Sequence, residues 1–337
     1  MIEVSVVIPT YNMGRLLDGS LRAIAASDMD HSRYEVIVVD DASTDSTPEI
    51  VKGCATLFKN FRYVRRAREA AHGPGIARGE GDTLACSDII ACTDADCRVE
   101  PQWLATLVRA IATEGSPLVG GETYSDRPLI FPWRFAPAGH RHINANLGYR
   151  KSTLRGITYD TDFQGHVGSD TDFVQRLIRA GIPYRHVPAM RVFHPAQDRS
   201  LRESFRRSYA RANEVLMHKK HGEIALMSMH AAFRPTLLGR VSPVSAAILG
   251  GIVGIVVLFL ALPPLSAVLS VASVVIMGSL WFLINGYRAC VWYRPQGNGE
   301  RISWSHRLKT LGFLITYLPT FVVARVVGSA RFGHFLL

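Results

Sequence analysis

Two aspartates one residue apart, Asp94 and Asp96, close a short apolar run at residues 89–97 (IIACTDADC). Carboxylates this close repel one another and call for a cation or hydrogen-bond donors beside them. Such oxygen ligands suit a hard divalent cation, and through it a phosphate-bearing substrate. A polar turn after a strand accounts for the pair equally well, because aspartate is common in turns. A second pair, Asp40 and Asp41, ends another apolar run at 36–39. Asp170 and Asp172 fall at the start of a helical pattern, where negative charge is favoured and where capping by Ser169 or Asp170 is expected. His194 follows a short extended run; a lone histidine there is structural, exposed or a metal ligand. Asn144 and Asn146 open a strand-like segment, 144–149, that carries polar residues inward. Arg78 is a cation suited to neutralising phosphate.

The elements that must hold these groups alternate. Residues 4–8 and 36–39 read as buried strands, 61–64 and 89–93 as two more, each short, apolar and bounded by turn residues. Between them Leu16, Leu17, Leu21 and Ile24 recur at helical spacing, and Thr47-Pro48 marks a helix start with proline at its first position. Residues 75–85 and the stretch from Pro101 through Ile111 complete the helices, while 120–138 is irregular and proline-rich. Helices that alternate with strands predict a mostly parallel sheet, covered on both faces, whose strand ends share one edge. Asp40, Asp41, Asp94 and Asp96 are expected to converge there. Neither GxGxxG nor GxxxxGK[ST] occurs, so no dinucleotide fingerprint or P-loop is present.

The chain of 337 residues carries a formal charge of +10. No helix-turn-helix, zinc-finger or aromatic-basic signature accompanies that charge, and no nucleic-acid partner is expected. The C-terminal part offers the other explanation. Residues 200–221 interleave Arg202, Arg206, Arg207, Arg211, Lys219 and Lys220 with apolar side chains, as a membrane-surface helix does. Residues 244–262 and 265–284 are almost unbroken apolar runs, each near the ~20 residues that cross a bilayer, with Pro263-Pro264 between them. Basic residues after this hairpin (Arg288, Arg294, Arg301, Arg307, Lys309) put the segment that carries them on the cytoplasmic side, as they do the N-terminal domain. A third hydrophobic stretch, 311–327, contains Pro319 and Arg325 and is compatible with a span or a re-entrant segment. The expected organisation is a domain at 1–199, basic amphipathic membrane-surface helices at 200–242 and a transmembrane hairpin at 243–285. A basic cytoplasmic loop at 286–310 and a third hydrophobic segment with the tail at 311–337 complete it. The five cysteines form no CxxC pair and are expected as reduced thiols. Met1 runs straight into a strand without a signal-peptide pattern. The expected location is therefore the cell's inner membrane, multi-pass, with the catalytic domain in the cytoplasm.

Four segments in order resemble family 2 glycosyltransferases, inverting enzymes of the GT-A fold. They are residues 4–12 (VSVVIPTYN), 38–47 (VVDDASTDST), 93–97 (TDADC, similar to the family's DXD motif) and 168–181 (GSDTDFVQRLIRAG). The resemblance runs from Met1 to about His221. It implies that Pro9, Thr10 and Tyr11 line a nucleobase pocket and that Asp40 and Asp41 bind the base or ribose. It also implies that Asp96 holds Mg²⁺ or Mn²⁺, with His194 as a further ligand and Asp94 beside the metal and close to ribose or sugar. Asp170 matches the general base, and Asn144 and Asn146 fall where donor sugar and acceptor approach. The chain departs from the family at Ser169, where Glu is common, at Gly79, where Asn is usual, and in lacking a QxxRW motif.

Together with the hydrophobic tail, the resemblance implies transfer of one sugar from a nucleotide-sugar donor, UDP- or GDP-linked, to a hydroxyl of a lipid-linked acceptor for cell-envelope synthesis. Two alternatives stay open. One is a polyprenyl-phosphate acceptor, which needs no base; the other is a membrane-tethered protein that binds nucleotide-sugar without turnover.

Overall fold

In the computed structural model, strand β1 (Val4–Thr10) is buried at every residue, as is β2 (Tyr34–Asp40). The structure describes residues 1–69, 73–126, 134–135, 144–163, 168–198 and 212–221, with 327, 329–331 and 333 near the C-terminus. The two strands pair in parallel, Val4 opposite Tyr34 through Thr10 opposite Asp40. Parallel strands buried on both faces need covering helices, which the intervening segments supply. These are α1 (Gly14–Ala25), α2 (Thr47–Cys54), α3 (Pro74–Leu84) and α4 (Trp103–Val108), the last continuing as one π turn through Thr113. α5 (Ser169–Arg179) follows later in the chain. The remaining strands of the sheet are β3 (Phe61–Arg65), β4 (Ile89–Cys92), β5 (Arg98–Val99), β6 (Leu118–Tyr124), β7 (Leu147–Arg150) and β8 (Tyr184–Phe193).

These strands form one sheet in the order β3-β2-β1-β4-β7-β6-β8-β5. The period of two sorts their side chains. Val4, Val6 and Ile8 face a core with Leu17, Leu21, Ile24, Trp103 and Leu107, whereas Val7 and Ile90 face Tyr149, Phe173 and Leu177 of the other layer. The predicted layering is thus present. The expectation of a mostly parallel sheet holds for β3-β2-β1-β4 and gives way beyond it. β7 runs antiparallel to both β4 and β6, and β5 antiparallel to β8, so the second half is mixed. Strand β6 occupies part of the stretch read as irregular. Its Gly120-Gly121 pair hides the pattern for a steric reason: a Cβ on Gly121 would lie 2.1 Å from the Met190 carbonyl oxygen. That contact sits where the β6–β8 register slips between Gly121 and Glu122.

Helix α3 lies directly on the middle of β1. A Cβ on Gly81 would meet Val7 Cγ1 at 2.4 Å, and Val7 is a stiff, fully buried, β-branched residue. Gly81→Ala therefore overpacks the core. Alanine's helix preference of about 1 kcal/mol offsets only part of an overpacking cost of about 1–3 kcal/mol. A net loss of up to about 2 kcal/mol is expected, read as an earlier midpoint in denaturant unfolding.

Residues 1–127 with 136–197 form one unit, and residues 128–135 with 198–337 a second. Within the second, Ala212–His221 is helical, inside the segment expected at the membrane surface, and its Leu216 and Met217 are buried. The hairpin at 243–285, the loop at 286–310 and nearly all of 311–337 lie outside the described residues. Among the described residues no helix is long and apolar enough to cross a membrane.

Candidate active site

The in-register pairing of β1 with β2 and β4 brings Thr10, Asp40 and the Thr93–Asp96 turn to one sheet edge. At the β2 end, Asp40 is fully buried and accepts the Tyr63 hydroxyl at 2.7 Å and the Ser43 N–H at 2.9 Å; Arg65 Nε stands 3.8 Å away. Asp41 turns the other way. It accepts the Gly73 N–H at 2.9 Å and a hydrogen bond from Arg66, which also reaches Glu80 at 2.9 Å. Sequence reasoning missed Tyr63, Arg65, Arg66 and Glu80, although two arginines directly after an apolar strand were a usable signal. The loop above is braced by Asn12, whose N–H donates to Ser43 Oγ at 2.9 Å and whose Oδ1 accepts the Thr44 N–H at 2.7 Å. Asn12 and Ala42 both hold positive φ, 52° and 65°. For alanine this is a strained backbone, retained where the surroundings over-determine it.

Pro9 is buried, Thr10 is buried with a side-chain oxygen that has no partner among the described residues, and Tyr11 projects its ring 46% exposed. Thr93 Oγ1 is likewise buried and unpartnered. Buried polar atoms without partners are rare in folded proteins, and here two lie at the ends of adjacent strands.

The next pair divides its labour. Asp94 is engaged by Arg78, a guanidinium only 4% exposed on α3. Burial pulls Arg78 toward neutrality, but negative charge beside it, that of Asp94 foremost, outweighs burial, and its pKa ends above the ordinary value. Asp96 instead faces His194, with Oδ2 3.6 Å from Nε2, and Cys97, with Oδ1 3.7 Å from Sγ. Burial raises the Asp96 pKa, His194 opposes it, and Asp94 adds to it. The ligand atoms of Asp96, Cys97 and His194 lie within 4.8 Å of one another. His194 Nδ1 lies 3.1 Å from the Pro195 carbonyl oxygen, an acceptor only, so Nδ1 donates there and Nε2 is the ring nitrogen turned to this cluster. That second contact is how metal-binding histidines are usually oriented, and the donor set fits a divalent cation. Asp94 stands outside this triad.

Gly168, at φ 98°, caps α5 and puts Ser169 and Asp170 in its first turn, so the expected side-chain cap is absent. Asp170 Oδ1 accepts the Thr171 N–H at 2.8 Å. Asp170 is half-buried, and burial raises its pKa; the Thr171 N–H and Arg78 pull it down, and Asp94 pushes it up. Asp172 is wholly buried against Arg176 at 2.7 Å, a structural pair. The first turns of α3 and α5 touch: a Cβ on Gly75 would lie 2.7 Å from Ser169 Cβ. This contact sets the spacing between the helix that bears Arg78 and the one that bears Asp170.

The two asparagines differ. Asn146 accepts the Trp103 indole N–H at 2.8 Å and donates to the Glu122 and Met190 carbonyls at 3.0 and 2.8 Å, so its amide is committed to the framework. Asn144 accepts the Tyr159 hydroxyl at 3.1 Å, while its buried Nδ2 has no partner among the described residues. Behind it, Tyr149 donates to both oxygens of Asp82 at 2.9 and 2.8 Å. Burial pushes Asp82 up to about 7, the Tyr149 hydroxyl, Lys151 and Arg78 notwithstanding. A carboxyl raised by folding binds more protons in the folded than in the unfolded state between pH ~4 and ~7. Folding stability is therefore expected to fall as pH rises through that window. Asp82→Asn, which keeps an acceptor for Tyr149, should stabilise the protein by about 2 kcal/mol at pH 8 and by nothing measurable near pH 4; thermal melts at the two pH values check this.

A covered sheet whose strand ends gather carboxylates, a buried arginine and a histidine–carboxylate cluster is suited to a phosphate-bearing ligand and a divalent cation. Residues 5–167 match the model of glycosyl transferase family 2. That segment, just under half of the chain, carries the likeness to the family. It is 36% identical over 118 residues to glycosyltransferase AglE of Haloferax volcanii, which covers 35% of this chain and 38% of AglE. The chain thus spans little more than a third of that relative. Two solved structures share the fold. Mannosyltransferase PcManGT from Pyrobaculum calidifontis, in complex with GDP-Man and Mn²⁺, has a TM-score of 0.54 at 20% identity, over 95% of this chain and 87% of that one. S. aureus TarS 1-349 in complex with UDP-GlcNAc has 0.52 at 16%, over 100% and 93%.

Proposed function

We propose that this protein is an inverting, membrane-anchored glycosyltransferase that moves one sugar from a nucleotide-sugar to a hydroxyl of a lipid-linked acceptor. The observation that carries the reading is Asp170, a half-buried carboxyl with a raised pKa, held in the electrostatic reach of Arg78 and Asp94. Attack by a hydroxyl needs a group to take its proton, and a carboxylate tuned upward is suited to that task. A phosphate acceptor is already ionised near neutral pH and gives Asp170 nothing to do. Asp40 and the Thr10 hydroxyl stand ready for the base and ribose, with the exposed Tyr11 ring beside them. Arg78 supplies charge to the diphosphate, and the unpartnered Asn144 amide serves the sugar or acceptor. Asp96 and His194 would hold Mg²⁺ or Mn²⁺. Such a cation offsets the negative charge that grows on the departing nucleoside diphosphate. The Mn²⁺ and nucleotide-sugar complexes of the two fold relatives support both partners.

Anchoring rests on the apolar runs at 243–285 and 311–337 and the basic residues between them. They support a catalytic domain at the cytoplasmic face of the cell membrane. The test is incubation of the detergent-solubilised chain with a panel of nucleotide-sugars and membrane lipid extract, followed by mass spectrometry. A lipid heavier by one sugar in glycosidic linkage is expected. A sugar phosphodiester would move the acceptor to polyprenyl phosphate, and sugar found only on soluble acceptors would remove the lipid from the proposal.

A further inference from the structure

We propose that Cys97 completes the cation centre as a thiolate ligand beside Asp96 and His194, and that the centre consequently takes a borderline-soft ion, Zn²⁺ or Co²⁺, in preference to Mg²⁺. The inference rests on the reading that Asp96 and His194 hold a cation and adds the third donor. Cys97 is fully buried at the border of the hydrophobic core, with Sγ 3.7 Å from Asp96 Oδ1. The other oxygen of the same carboxylate lies 3.6 Å from His194 Nε2. One carboxylate is thereby flanked by a sulfur and a ring nitrogen, all within 4.8 Å. Bonds of ~2.0–2.3 Å to a tetrahedral ion put ligand atoms ~3.3–3.7 Å apart, which matches both contacts.

The orientation of His194 is the independent observation. With its Nδ1 against the Pro195 carbonyl oxygen, the ring turns Nε2 toward a carboxylate oxygen of Asp96, 3.6 Å away. A cation between that nitrogen and that oxygen would be coordinated by both. Asp94, the other carboxylate of the turn, is occupied by Arg78, which leaves the Cys97 sulfur as the third donor beside Asp96 and His194. Thiolate favours Zn²⁺ and Co²⁺ over the all-oxygen preference of Mg²⁺, and the thiol proton leaves to solvent as the bond forms.

The experiment loads the metal-free full chain with one equivalent of Zn²⁺ or Co²⁺. Zinc-edge X-ray absorption is expected to show one sulfur at ~2.3 Å with nitrogen and oxygen at ~2.0–2.2 Å. The cobalt form should show a near-ultraviolet sulfur-to-metal charge-transfer band. In Cys97→Ser both sulfur signals vanish, and Zn²⁺ affinity falls at least ~10-fold while Mg²⁺ affinity changes far less. A nitrogen–oxygen shell in the wild-type chain overturns the proposal without recourse to any variant. A sulfur signal that survives Cys97→Ser also overturns it, since another cysteine is then the ligand. Mn²⁺-supported nucleotide-sugar turnover is measured on the same preparation. Turnover without sulfur ligation sinks this inference alone; sulfur ligation without turnover of any nucleotide-sugar sinks the transferase reading and leaves the centre standing.

Discussion

Asp170→Asn is expected to lower turnover to the proposed hydroxyl acceptor by about 10²–10⁴-fold, the usual worth of a general base. The substitution is nearly isosteric, and the amide oxygen can still accept the Thr171 N–H that holds the carboxylate now. Donor binding should therefore change little, so the loss falls on kcat. Stability should not suffer. The Asp170 pKa is raised by burial, so the folded state binds more protons than the unfolded one as pH rises above the unfolded value. The ionised carboxylate thus costs stability at neutral pH, and removing it returns some. For the wild-type enzyme the same shift places the acid limb of the rate profile above the ordinary carboxylate range. A steady-state assay of Asp170→Asn with wild-type turnover would end the hydroxyl-acceptor proposal.

Arg78→Met strikes fold and activity together. The guanidinium is 4% exposed and its partner Asp94 is 32% exposed. Losing one member of a buried pair leaves the other charge uncompensated, at a cost of about 3–5 kcal/mol. Partial access of water to Asp94 reduces this to about 2–3 kcal/mol. Turnover should fall by about 10²–10³-fold, the loss seen when a preorganised charge is removed from a developing anion. The two effects are separable. The double variant Arg78→Met with Asp94→Asn removes the orphaned charge, so unfolding measurements should recover most of the stability while turnover stays low. A double variant that recovers turnover as well would mean that Arg78 acts only as a structural counter-ion.

Some of these features were readable in the sequence and others were not, according to the kind of signal each residue leaves. Strands β1, β2 and β4 are short apolar runs that end in Thr10, Asp40 and the Thr93–Asp96 turn, so both strand and site were visible in one string. Pro48 announced α2, and Gly181 ended α5 with φ 80°. Strand β6 was invisible because the Met190 carbonyl demands a glycine in its middle, and glycine erases the alternation by which a strand is recognised. The antiparallel insertion of β7 depends on pairings between distant segments, which no local period encodes. The same holds for the site. Asp94 and Asp96 look equivalent in sequence, and only the positions of Arg78 on α3 and His194 after β8 send them to different partners. Asn144 and Asn146 are two residues apart in one short turn, yet Trp103 and two carbonyls claim the second, while the amide nitrogen of the first has no partner among the described residues.

The meeting of Gly75 with Ser169 bears on how this chain can change over time. With Ser169 Cβ 2.7 Å from where a Gly75 side chain would begin, the two positions are one packing decision made in two places. A lineage that grew a larger residue at either position would have to part the first turns of α3 and α5, and with them Arg78 and Asp170. Ser169, which replaces the glutamate common in the family, then reads as the partner of the bare Gly75 backbone. Gly75→Ala is expected to be rejected alone and tolerated together with Ser169→Gly, which removes the opposing Cβ. A saturation library covering both codons, selected for transfer, would reveal that dependence as paired survivors.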